Sequence, residues 1–252
     1  MRKNTAGGTP DRRAEPSGAQ RRVRGVAPAG GRGFGTGPLA RVSALVYTLL
    51  VTEGLLLLTS APGLVPLLVL GGSASNLPLD AACLVPAGPA ASAALFALWR
   101  RSGDLADLRP AAAFWRGYRL NVAGVLRLYL PWLAGMTMVA LGLAHGGAAG
   151  VPGWWRALLV VIAVTGTLWL ANALVITSLF AFRGVDVARL AAYFLGTAPL
   201  VALGNAGVLV AGALVTAFGT EPVAMLLATV GCLALLMTSR PMIGQVEERF
   251  TG

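Results

Sequence analysis

The sequence predicts an all-α fold: a polytopic transmembrane helical bundle of six spans arranged as three hairpins, with two interfacial helices and both termini on the inner side. Three observations carry this. Of 252 residues, 56% are hydrophobic and only 12% are charged, against about 25% charged in a soluble domain, and the mean hydropathy is +0.72. The apolar residues gather into runs long enough for a bilayer core of roughly 30 Å. With six crossings, all but Arg156 of the 20 basic residues fall on one side, which the positive-inside rule makes the cytoplasm.

Residues 1–38 are rich in Arg, Gly, Pro, Ala and Ser and show no apolar periodicity. They cannot bury enough surface to offset the entropy of ordering, so they read as a disordered basic cytoplasmic tail ahead of a membrane domain at 39–252. The first apolar run begins only at Val42 and is too long for a signal peptide. The glycines between Gly30 and Gly37 lack the spacing of a dinucleotide-binding turn and follow no strand, which leaves a flexible linker.

The first span is expected at residues 42–61, ended by Pro62, Gly63 and Pro66. No Lys or Arg lies between Gly71 and Asp80, as suits an outer loop. The second span, 81–99, is broken near its start by Pro86, Gly88 and Pro89 and stops at Arg100 and Arg101. At 1.5 Å per residue it covers roughly 28 Å.

Beyond the basic loop, Pro110 to Asn121 reads as an interfacial helix anchored by Phe114, Trp115, Arg116, Tyr118 and Arg119. Its rings and guanidinium groups suit the inner leaflet and anionic lipids. The third and fourth spans are expected at 122–144 and 157–181, joined by a Gly-rich turn ending in Trp154 and Trp155. An amphipathic piece at 185–196 repeats the interfacial pattern. The fifth and sixth spans follow at 200–218 and 223–239, and Arg240 to Gly252 reads as a short polar tail.

The stretch NLPLDAACLVPAGPAASAALFALWRR, followed by FWRGYRLN, resembles the YesL-like family of bacterial integral membrane proteins, a domain of unknown function. The residues carrying the resemblance are Gly88, Pro89, Ala90, Ala94, Phe114, Gly117, Tyr118 and Asn121, and it extends more weakly over residues 40–250. It implies a multi-pass protein of the bacterial plasma membrane, accessory or regulatory to carbohydrate uptake or utilisation, with a carbohydrate transporter complex or a second copy of itself as partner. Every basic residue except Lys3 is Arg, in keeping with a GC-rich bacterial genome.

Glu53 is the one acid well inside a span, about 17 Å deep by the helical rise. An ionisable group there is costly, which marks it for attention. Arg127, Asn172 and Asn205 are expected in the inner half or near the midplane, so the four form a candidate intramembrane polar site. Two readings follow: Glu53 binds a proton or cation in a small secondary transporter or channel, or it is interhelical glue bonded to Asn172 or a Thr. The break at Pro86, Gly88 and Pro89 likewise reads either as a transporter's broken helix or as a packing kink.

Enzyme chemistry finds no support. His145 is the single His, no carboxylates are paired at usable spacing, and Cys83 and Cys232 sit alone in apolar runs, so neither cofactor nor metal is expected. The excess positive charge sits in loops and tail, where membrane orientation accounts for it without a nucleic-acid partner.

Overall fold

The computed structural model describes residues 38–70, 73–101, 109–146, 150, 152–218 and 227–250. The tail assigned to residues 1–38 lies outside the described residues apart from Pro38, as do most of the basic loop, the turn at 219–222 and the first residues of the sixth span.

Among the described residues the chain is helical throughout, with no strand. The helices are α1 (Pro38–Leu70), α2 (Leu77–Cys83), α3 (Ala87–Trp99), α4 (Pro110–His145), α5 (Gly153–Leu179), α6 (Gly184–Thr197), α7 (Pro199–Phe218), α8 (Ala228–Thr238) and α9 (Arg240–Phe250), with a single 3-10 turn at Ala74–Asn76. Four of them, α1, α4, α5 and α7, are long and apolar enough to cross a membrane. The pair α2 and α3, bent by 44° at the break between them, makes a fifth if the two count as one span. A helix is what such a sequence must form in lipid, because only there are all backbone groups paired within the segment. Pro110 and Pro199 open α4 and α7 at positions where a missing N–H costs nothing.

α3 is the centre of the bundle. From Gly88 to Leu98 its residues are buried except Ala91, which is half-buried, and α1, α4, α5 and α8 all pack on it. A short helix enclosed on every side needs small residues, and AGPAASAALFALW supplies them. Ala90, Ala93, Ala94 and Ala97 form a shallow face that receives the fully buried Phe114 of α4. Reciprocally, Gly117 of α4 receives Phe96: a Cβ on Gly117 would lie 2.8 Å from that side chain. Lipid tails are as apolar as these side chains, so close van der Waals packing, not release of water, holds this interface.

Three expectations are corrected. The first helix does not end at Ala61; it runs through Pro62 and Pro66 to Leu70. Each proline removes one N–H donor from the ladder, which membrane helices tolerate when neighbours pack the site. Gly63 lets the end of α2 approach, since a Cβ there would overlap the Cys83 carbonyl oxygen.

The aromatic segment at Pro110–Asn121 is not a separate interfacial helix, because it is continuous with the third span in the 36 residues of α4. Nothing between Asn121 and Val122 breaks a helix. The segment also has a buried face, with Phe114 and Gly117 against α3.

The polar tail is a helix, α9, whose Met242, Ile243 and Val246 are fully buried. They join Val187, Ala191 and Phe194 of the amphipathic α6 in one core with the ends of α3 and α5. That core caps the bundle at the end where α3 and α5 finish and α7 begins.

Candidate functional site

Glu53 lies in the middle of α1 and is 8% exposed. Its Oε2 accepts the backbone N–H of Thr229 at 2.8 Å. Thr229 is the second residue of α8, so its N–H is one of the first-turn amides that no carbonyl within the helix can reach. The carboxylate therefore supplies a missing acceptor and sits at the positive end of the helix dipole. The surroundings are apolar: Leu56, one turn along α1, packs with the α3 alanines, Ala228 and Cys232. Among the described residues, Oε1 of Glu53 and the hydroxyl of Thr229 have no hydrogen-bond partner.

Asn172 and Asn205 meet each other instead of Glu53. The Nδ2 of Asn205 in α7 donates to Oδ1 of Asn172 in α5 at 3.0 Å, and Thr238 at the end of α8 donates its hydroxyl to Oδ1 of Asn205 at 2.5 Å. Asn172 Nδ2 approaches the Ala191 carbonyl of α6 at 3.5 Å, the outer limit for such a bond. One buried chain of amides thus ties four helices together.

Arg127 joins neither group. It is exposed, and its height explains why. Thr48 and Pro110 line the same cleft, so α1 and α4 can be measured from one level. From there Glu53 is about 7.5 Å along α1, whereas Arg127 is about 25 Å along α4. The sequence ruler began at Val122, and the continuity of α4 moves Arg127 far beyond the carboxylate.

The helix break falls at Leu84–Pro86, with Pro86 preceding α3 and Gly88 and Pro89 in its first turn. Tyr129 of α4 closes the break: its hydroxyl donates to the Leu84 carbonyl at 3.2 Å, and its ring lies where a Cβ on Gly88 would come within 2.6 Å. A second polar tie lies deeper along α3, where Ser92 and Ser178 share a hydroxyl contact of 2.8 Å. Asn121 reaches both Ser92 at 3.4 Å and the Ser178 carbonyl at 3.3 Å.

Of the expected interfacial anchors, Phe114 is buried in the bundle, Tyr118 is half-buried, and Trp115, Arg116 and Arg119 are exposed. Sequence reasoning passed over Thr229, Thr238, Ser92, Ser178 and Tyr129. Their shared signal is a polar atom within an apolar run, weak because Ser and Thr can bond within their own helix.

No family model matches the chain, and no curated protein and no solved structure proved similar to it.

Proposed function

We propose that this chain is a YesL-like multi-pass protein of the bacterial plasma membrane, accessory or regulatory to carbohydrate uptake or utilisation, and that it catalyses no covalent step. In this reading it crosses six times as three hairpins, the last crossing holding α8, with both termini in the cytoplasm. The observation that supports an accessory role most directly is how the intramembrane polar groups are used. Asn172, Asn205 and Thr238 bond one another, Ser92 and Ser178 do the same, and Glu53 caps α8. Groups spent on joining helices fit a scaffold that docks on a transporter better than a solute path. The resemblance supports the same reading, since Ala90, Ala94 and Phe114 pack against one another while Asn121 bonds across helices.

One observation favours a second reading, a small secondary transporter. Oε1 of Glu53 is buried without a partner among the described residues, and such an oxygen can take a proton or cation. Proteoliposomes holding the purified chain alone separate the two. The accessory reading expects no accumulation of labelled sugar under an imposed proton or sodium gradient. Accumulation that Glu53→Gln abolishes would replace it with the transporter. For orientation, an impermeant maleimide should leave a Cys at Ser102 unlabelled in intact cells on a Cys-free background.

A further inference from the structure

At the end of the bundle where α3 stops and α4 starts there is a cleft of about 410 Å³ lined by Arg100, Arg101, Arg109 and Arg116, with Thr48, Phe96 and Ala97 among its walls. We propose that it is a binding site for the phosphate-bearing headgroup of an anionic phospholipid. The inference rests on this end of the bundle facing a membrane surface, and it is independent of any role in carbohydrate uptake.

Among the described residues the lining holds four guanidinium groups and no acid. Four like charges around one cleft repel one another, and an anion between them converts that repulsion into attraction. The helix ends do not neutralise them: the α3 C-terminus brings about half a negative charge and the α4 N-terminus about half a positive one, so these fields cancel and the arginine charge remains. Arg100 is oriented as well as charged, its guanidinium carbon 5.0 Å from the centre of the Phe96 ring. Guanidinium forks match phosphate oxygens two at a time, which a cluster of lysines would not do.

A lipid, not a soluble phosphate, is favoured by what adjoins the cleft. Arg116 is shared with a second groove on α4, lined also by Trp115, Arg119 and Leu120. Trp115 and Leu120 are exposed, and α4 continues from them into its apolar span. A phosphate held by Arg116 would therefore have an aromatic ring at headgroup level and an apolar surface for the acyl chains. Residues 102–108, which include Asp104 and Asp107, lie outside the described residues.

The test uses the full chain in a neutral detergent and short-chain phosphatidylglycerol, with phosphatidylcholine and inorganic phosphate as comparison ligands. Phosphatidylglycerol should bind at least tenfold more tightly than either. Combined Arg100→Gln, Arg109→Gln and Arg116→Gln should weaken it at least tenfold, while Arg189→Gln, elsewhere on the molecule, should not. Should the triple variant fail to fold, a second measurement serves: phosphatidylglycerol, but not phosphatidylcholine, should slow maleimide labelling of a Cys at Ala112, which lines both clefts. Equal binding of the two lipids, binding that survives the triple substitution, inorganic phosphate binding as tightly as the lipid, or labelling that phosphatidylglycerol does not slow would each overturn the proposal.

Discussion

The carboxylate of Glu53 accepts the backbone N–H of Thr229 at 2.8 Å, joining the middle of α1 to the first turn of α8 across 176 residues of sequence. A helix whose first turn is buried at Thr229 has no water for that amide. A capping residue local to α8 could serve, but Leu227 precedes it and offers no side-chain acceptor. An acceptor brought by a distant helix solves the same problem and fixes how α1 and α8 sit together.

The relationship predicts an unequal response to two substitutions at Glu53. Gln keeps a carbonyl oxygen for the Thr229 N–H and loses only the charge at the helix end, so Glu53→Gln should cost less than about 1 kcal/mol. Leu keeps the volume and removes the acceptor, so Glu53→Leu should cost about 1–2 kcal/mol. Thermal unfolding in detergent checks the order. Equal loss in both variants would mean that the charge matters and the acceptor does not.

At the helix break the ring of Tyr129 matters more than its hydroxyl. The Leu84 carbonyl also accepts the N–H of Ala87 at 3.0 Å, so Tyr129→Phe should cost only about 0.5–1 kcal/mol. Gly88→Ala must displace the ring itself, since the added Cβ would come within 2.6 Å of it, and should destabilise by about 1–3 kcal/mol. Combining Gly88→Ala with Tyr129→Ala removes the obstruction, so the double variant should be more stable than the two single losses sum to. Strict additivity in unfolding temperatures would show that ring and glycine do not meet.

These cases show where sequence reasoning succeeds. Apolar runs report helices in lipid well, and Glu53 stood out because an acid in such a run is costly. Its partner was invisible, since a backbone N–H leaves no mark in the pattern of side chains and only the start of α8 makes it available. Arg127 was misplaced for a geometric reason: depth was counted from the apolar boundary at Val122, while α4 begins at Pro110. α9 was taken for a tail because its composition is polar on average, although Met242, Ile243 and Val246 already share one helical face.

The buried face of α9 makes the C-terminus structural. Val246 is fully buried among residues of α6 and the ends of α3 and α5, so Val246→Asp should cost about 3 kcal/mol or more by burying an unpaired charge. Gln245 is exposed on the same helix, and Gln245→Ala should stay within about 0.5 kcal/mol of the parent. Unfolding in detergent compares them. Equal stability of Val246→Asp and the parent would return this segment to a short polar tail.

The amide chain of Asn172, Asn205 and Thr238 predicts coupling that is strong on one side and weak on the other. Thr238 retains the Leu235 carbonyl at 3.0 Å for its hydroxyl when Asn205 is removed, so Thr238 loses little by Asn205→Leu. Asn172 retains only the 3.5 Å approach to Ala191, so most of the cost falls there, as a buried amide left without a good partner. Asn172→Leu has the mirror effect on Asn205. Each single variant should therefore lose about 1–2 kcal/mol, and the double variant, which leaves neither amide unpaired, should lose less than their sum by about 1 kcal/mol. Thr238→Val with Asn205→Leu should be coupled less strongly, because Thr238 can fall back on the Leu235 carbonyl and only Asn205 Oδ1 loses its donor. A double-mutant cycle on unfolding free energy measures both pairs. Coupling between Asn205 and Thr238 as large as that between Asn205 and Asn172 would show that the hydroxyl, not the second amide, is what Asn205 is held in place to meet.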